Sequence, residues 1–392
     1  MNTWLLVGLS VRPLAEAAAA AGHRVCAIDA FADRETLAAC EGRVLELPIA
    51  DDWRIDAGTL IASLTQAQRR FAPEGFAGVV PCGGFDGSPE LVERLGEFAP
   101  LLGNRANTIA TVREPRSWFA LLDRIGAPHP PVAYVAPDRG EDWLVKAAGG
   151  SGGRHVRPWR GDGALAADDY FQRRAGGRPA SALFIADGRR AAIVGWQWQF
   201  LSPSREQPCR YGGVMTATDL PVNLRWRIAQ LVDAIVGESG LRGLCGLDFL
   251  TDGDRPLLLE LNPRPTASVA LYPEFDLFAW HQAGCGGRLP PAIPREVAAA
   301  GESVFYARAA LAVAGDFAWP AWCCDLPAGA ARFADGEPVC SVRASGASSA
   351  VVRAKLVRRL QLISIRLKEH RPHENRRKRQ CQRRTADPIA AG

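Results

Sequence analysis

Apolar positions along the chain cluster into short continuous runs, separated by amphipathic stretches and glycine-rich turns. Trp4 to Leu9 is the first run and Arg24 to Asp29 the second, with an Ala-rich stretch from Arg12 to Gly22 between them. Continuous apolar runs of this length predict strands buried on both faces, and the stretch between them predicts a helix stopped by glycine. Val44 to Ile49, the amphipathic stretch Asp56 to Arg70, Gly78 to Pro81 and a helix from Pro89 to Phe98 continue this βαβ alternation. Pro115 to Ile125 predicts a helix stopped by Gly126, and Pro128 to Pro131 a linker. The pattern then changes to closely spaced strands. Trp143 to Ala148, Arg154 to Trp159, Ala180 to Ala186 and Arg190 to Phe200 read as antiparallel, with Trp196, Trp198 and Phe200 alternating onto one core-facing side. Cys209 to Thr218 predicts a loop, and Leu220 to Ser239 a long helix that Gly240 ends. Leu244 to Leu250 and Leu257 to Asn262 form a hairpin about the polar turn Thr251 to Arg255. Ser268 to Ala283 predicts a helix, Phe305 to Val313 a strand and Ala347 to Leu367 a basic amphipathic helix. The fold class is α/β (α+β).

Length and composition narrow this picture. A chain of 392 residues predicts two or three domains. With 47% hydrophobic and 23% charged residues it reads as globular, and no run approaches the ~18–20 apolar residues of a membrane helix. The N-terminal stretch lacks a basic leader and reads as a buried strand rather than a signal peptide. Ten cysteines show no CxxC pair and no histidine spacing that matches zinc. They predict reduced thiols and a cytoplasmic location. The net charge of +5 belongs to the tail, where nine Lys/Arg face three Asp/Glu from Arg366 onward. A basic tail is either a solvated extension or a nucleic-acid contact; the first reading is preferred.

The second hairpin carries the chemistry. Residues two apart on a strand share a face, so Glu260 and Asn262 project together, and the hairpin brings Asp248 beside them. Two carboxylates and an amide oxygen make a hard site suited to Mg²⁺ or Mn²⁺. Arg264 adds a planar cation for phosphate or carboxylate. Upstream, Lys146 precedes Gly149, Gly150, Ser151, Gly152 and Gly153 at the tip of a hairpin. Glycines let backbone N–H groups approach an anion, and the lysine adds charge. A strand follows rather than a helix, which excludes a Walker A loop. The first βα turn lacks GxGxxG, so a nicotinamide or flavin site is not indicated there. Ser10, Arg12, Asp86 and Ser88 fall at strand C-ends, where α/β sheets take ligands, with Ser88 placed as a helix N-cap. Arg12, Arg210 and Arg308 predict an anionic substrate.

Taken in order, these features resemble the ATP-grasp superfamily over residues 1–345. The resemblance is carried by the helix ending in GAPxP, the lysine strand in WLVKAAGGSGG, and DFL followed by LLLELNPR. The GGSGG loop and the GxPxCSV end (Gly336, Pro338, Cys340, Ser341, Val342) are similar to predicted carboxylate–amine ligases related to biotin carboxylase. The resemblance implies a pre-ATP-grasp domain (1–105), a central lobe (106–200), a C-terminal lobe (201–345) and a basic helix with tail (346–392). It implies that Lys146 binds ATP phosphates, that Gly149 to Gly153 form a flap, and that Gln172 stands at the hinge near adenine. It also implies Mg²⁺ on Asp248, Glu260 and Asn262, and Arg264 at the transferring phosphoryl group. Small-molecule acid and amine substrates, no membrane partner, no nucleic acid and a homodimer complete it. Three departures stand out. An upstream lysine is absent, with Arg113 or Arg116 as stand-ins. The hinge has Gln172-Arg173, and no second acid follows it. They leave open a catalytically slack nucleotide-binding protein.

Overall fold

A computed structural model describes residues 2–50, 53–138, 142–162, 164–290, 293 and 298–370. The chain begins with β1 (Thr3–Gly8), α1 (Arg12–Ala20), β2 (Arg24–Asp29), α2 (Arg34–Ala39), β3 (Val44–Glu46), α3 (Ala57–Phe71), β4 (Gly78–Pro81) and α4 (Pro89–Phe98). Its strands form a parallel sheet in the order β3-β2-β1-β4, as their buried runs predicted. Ser88 precedes α4 but makes no side-chain cap bond. Two short helices follow, α5 (Ala106–Arg113) and α6 (Pro115–Arg124). Glu114 separates them and caps α6, its carboxylate accepting from the backbone N–H of Arg116 and Ser117.

A small antiparallel sheet comes next: β5 (Val132–Ala133), β6 (Trp143–Ala147), β7 (Val156–Pro158) and β8 (Asp169–Arg173), ordered β5-β8-β6-β7. The chain crosses at residues 174–177 into an eight-stranded sheet. That sheet starts with β9 (Arg178–Asp187), β10 (Ala191–Leu201) and β11 (Tyr211–Thr216). The segment expected to be a loop is therefore a strand. After α7 (Val222–Ser239) come β12 (Arg242–Asp252) and β13 (Arg255–Asn262). The expected helix from 268 to 283 is broken into a 3₁₀ turn (Ala267–Leu271) and α8 (Leu277–Cys285), because Pro273 cannot continue a helix. The rest is β14 (Ala299–Tyr306), β15 (Leu311–Val313), β16 (Cys323–Cys324), β17 (Ala331–Phe333), β18 (Pro338–Gly346) and α9 (Ser349–Glu369). The large sheet runs β13-β12-β9-β10-β11-β14-β18-β16.

Both faces of the large sheet are packed. One covers a core shared with α6, α7 and α9, including Phe119, Phe184, Phe249, Ile228 and Leu356. The other meets the first domain, where Leu6, Val11 and Leu14 join Leu183, Ile185, Leu244, Tyr272 and Phe278. His281 also bridges them: its Nδ1 accepts from Leu244 N (2.9 Å) and its Nε2 donates to Leu102 O (3.1 Å). Trp198 is buried in the core, as its alternation implied. The nine described cysteines are free. Among the described residues no helix is long and apolar enough to cross a membrane. The basic tail from residue 371 lies outside the described residues.

Candidate active site

The ladder between β12 and β13 sets Asp248 directly opposite Glu260, and Gly246 opposite Asn262. Directly opposed residues share a face, so the two carboxylates and the amide converge as the spacing required. Asn262 donates from Nδ2 to Asp248 Oδ2 (3.2 Å), and Gln199 on β10 donates from Nε2 to Asp248 Oδ1 (2.7 Å). Burial and the neighbouring Glu260 push the Asp248 carboxyl up from its usual range. Burial acts the same way on Glu260, but Arg113, His155 and Lys146 outweigh it and hold that carboxyl low.

Arg264 does not stand free. Its Nε donates to Asp86 Oδ2 (2.8 Å), its Nη2 lies 2.7 Å from the same oxygen, and Nη2 also donates to Asn262 Oδ1 (3.2 Å). Asp86, a possible substrate contact from sequence, lines the cavity and orients this cation from the first domain. Arg113, one of the two stand-ins for the missing lysine, ends α5 beside the acids. Its guanidinium lies 3.5 Å from Glu260 and donates to Gly150 O (2.6 Å) and Leu261 O (3.2 Å). It is buried behind the cavity wall, whereas Arg116 stacks on Tyr134 at 4.1 Å.

The opposite wall is the β6–β7 hairpin. Lys146 is buried and donates from Nζ to Gln172 Oε1 (3.1 Å) on β8, while Gln172 Nε2 is buried without a partner. The glycine tip folds over the cavity. Gly149 lies against Gly87, so close that a Cβ at Gly149 would overlap the Gly87 backbone. Tyr211 N donates to Gly152 O (2.9 Å), and Arg154 lies over the Trp53 ring at 4.5 Å.

Between these walls lies a cavity of ≈ 1360 Å³. Lys146, Gly149, Gly150, Ser151, Gly152, Gly153, Gln172, Asp248, Glu260, Asn262 and Arg264 all line it. Its volume exceeds the ~300–1,000 Å³ of a typical single-ligand pocket. His155, Gln199 and Tyr211 line it too. Sequence reasoning missed all three, although His155 stands only two residues past the glycine tip.

Residues 119–268 match the family model described as an ATP-grasp domain. The chain contains an ATP-grasp domain. The matched span holds every residue that the resemblance assigned to phosphate, adenine or metal; Asp86 and Arg113 reach the same cavity wall from outside it. Similar solved structures extend the likeness of fold to nearly the whole chain. A biotin carboxylase from Campylobacter jejuni, solved as a β-γ-ATP complex, is 14% identical and covers 90% of this chain and 89% of its own, with a TM-score of 0.67. The biotin carboxylase domain dimer of Hydrogenobacter thermophilus 2-oxoglutarate carboxylase, solved with MgADP, ADP and bicarbonate, gives 13%, 90%, 88% and 0.68. An L-amino acid ligase from Bacillus licheniformis gives 15%, 92%, 97% and 0.65. No curated protein matches the sequence significantly.

Among the described residues no group of three His, Cys, Asp or Glu is placed to hold a metal. The ATP-grasp acids nevertheless suit a hard cation. Two buried carboxylates face each other, one pushed toward its neutral form by the other, and a divalent ion would relieve that repulsion. Two of the three arginines expected to bind an anion are already engaged. Arg12 pairs with Glu16 (2.8 Å), Glu302 (2.7 Å) and Asp325 (2.5 Å). Arg210 donates to Ser202 O and Gly336 O and stacks on Tyr306, and Arg308 is exposed and off the cavity. An anionic substrate in the cavity therefore meets no free cation from these three: Arg12 and Arg210 are engaged and Arg308 lies off the cavity.

Proposed function

We propose that the protein is an ATP-dependent carboxylate–amine ligase that works through an acyl phosphate. The observation that carries this reading is the convergence, across one cavity, of Lys146 and the glycine hairpin with the opposed carboxylates Asp248 and Glu260. A carboxylate is a poor acylating agent because oxide is a poor leaving group. Transfer of the ATP γ-phosphoryl onto it gives an acyl phosphate; an amine then attacks, phosphate leaves and an amide forms. Such transfer asks the protein for alignment and charge neutralisation rather than for a nucleophile.

The chain's own residues divide that work. Lys146 and the backbone of Gly149, Gly150, Ser151, Gly152 and Gly153 hold the ATP phosphates. Gln172 lies beside Lys146, and its spare amide donor faces the nucleotide. Asp248, Glu260 and Asn262 hold Mg²⁺ or Mn²⁺, which supplies Lewis-acid neutralisation of phosphate charge. Arg264, oriented by Asp86, meets the transferring phosphoryl group. Arg113 ties Glu260 to the hairpin through Gly150 O, so closure and acid placement move together. The hairpin excludes water from the acyl phosphate.

A screen of carboxylic acids with ATP, Mg²⁺ and hydroxylamine tests this. Hydroxamate formation with one acid class is the expected result. ADP release with no hydroxamate from any acid would sink the ligase reading while leaving nucleotide binding intact. A homodimer is the assembly expected in solution, checked by light scattering.

A further inference from the structure

His155 lies at the root of the glycine hairpin and lines the cavity. Its ring occupies space that a side chain at Gly150 would fill: a Cβ there would overlap the Cβ and Cγ of His155 and approach Nδ1. Gly150 has no positive φ, so conformational freedom does not explain this glycine; room for the imidazole does. The ring's Nδ1 is fully buried and meets no hydrogen-bond partner of good geometry, the Ser151 backbone acting on the ring only weakly. An unpaired buried polar atom is costly, and folds keep one where a ligand completes it. Its charged neighbours are Glu260 and Lys146, which line the cavity, and Arg113 behind its wall. An imidazole carries at least one ring N–H to donate in either protonation state.

We infer that His155 is a phosphate-contacting residue of the hairpin, seated there by the missing side chain of Gly150. The inference rests on the ATP-site reading above. It differs from a purely structural role in what it demands of the ligand: the contact exists only when phosphates are present.

The test is titration calorimetry of the full chain with two probes, MgADP and adenosine. His155→Ala is expected to bind MgADP about tenfold more weakly, about 1.4 kcal/mol, and adenosine unchanged. Equal MgADP affinity in wild type and variant overturns the inference alone. So does an equal loss for both probes, which marks a structural residue. Wild-type protein that binds no MgADP overturns the ATP-site reading and this inference with it. Should His155→Ala not fold, His155→Asn is titrated against the same two probes and read by the same outcomes. The seating is tested by Gly150→Ala, expected to weaken MgADP binding in the wild-type background but much less beside His155→Ala. Equal losses in both backgrounds would remove the link between Gly150 and His155.

Discussion

Lys146 stands on a four-stranded sheet whose buried apolar cluster is Trp143, Val145 and Phe171, with Ala133 and Trp159 against it. Asp248 and Glu260 stand on an eight-stranded sheet whose two faces join two large cores. The acids are thus held by a sheet packed on both faces, and the hairpin proposed to bind phosphate by a small apolar cluster. Local stability follows the density of buried apolar contacts. A site of this kind keeps its charge geometry fixed and lets its cover move. The first domain belongs to the fixed side: it shares a core with the large sheet, and its Asp86 grips Arg264.

The sharpest way to break the comparison is chemical. Glu260→Gln should lower ATP turnover by about 10²–10³-fold while leaving the melting temperature nearly unchanged, because it removes charge from a rigid scaffold. A drop below tenfold would mean that these acids are not the reactive end. Core truncations test the packing difference directly. Phe249→Ala should cost about 3–5 kcal/mol in urea unfolding. Trp143→Ala should instead loosen amide protection over residues 143–173 in hydrogen exchange and shift the global midpoint less. Equal global losses would make the two lobes one cooperative unit.

Arg113→Ala, which unties Glu260 from the hairpin, should reduce kcat about 10-fold or more and raise the KM for ATP. Arg116→Ala, whose guanidinium stacks on Tyr134, serves as the near-silent control. The smallest effect concerns the joint between first domain and large lobe. Burial holds the His281 pKa down to about 4, so the folded protein keeps this ring neutral where the unfolded chain takes up a proton. The stability it contributes is full above the unfolded value near 6.5 and is lost as pH falls toward 4. The cost is at most about 1.4 kcal/mol per pH unit. Urea midpoints between pH 7.5 and 5 should show that slope in wild type, and a flatter one in His281→Asn.

Much of this site was legible from the chain because its logic is local. Glu260 and Asn262 share a face through the two-residue strand period, and a tight turn at Gly253-Asp254 with a bulge at Asp248/Phe249 sets Asp248 opposite Glu260. The Lys146 hairpin announces itself by its glycines. Misreadings arose where distant contacts govern. Gly212 and Gly213 suggested a loop, yet they sit in β11, where a Cβ on either would overlap neighbouring backbone. Arg308 fell beyond β14 because that strand ends at Tyr306. The break at Pro273 was readable and was overlooked.

What the sequence by itself determined is the set of chemical groups and their short-range register: acids on one hairpin, lysine and glycines on another. The tertiary structure alone decided which charges are spent. Asp86 neutralises Arg264 across 178 positions, Glu302 and Asp325 engage Arg12 from some 300 positions away, and Arg113 reaches Glu260 from a helix outside the matched domain. The physical reason is range. Side-chain direction follows from backbone periodicity over a few residues. Ion pairing depends on distances of a few ångströms, and only the packing of one domain on another sets those distances.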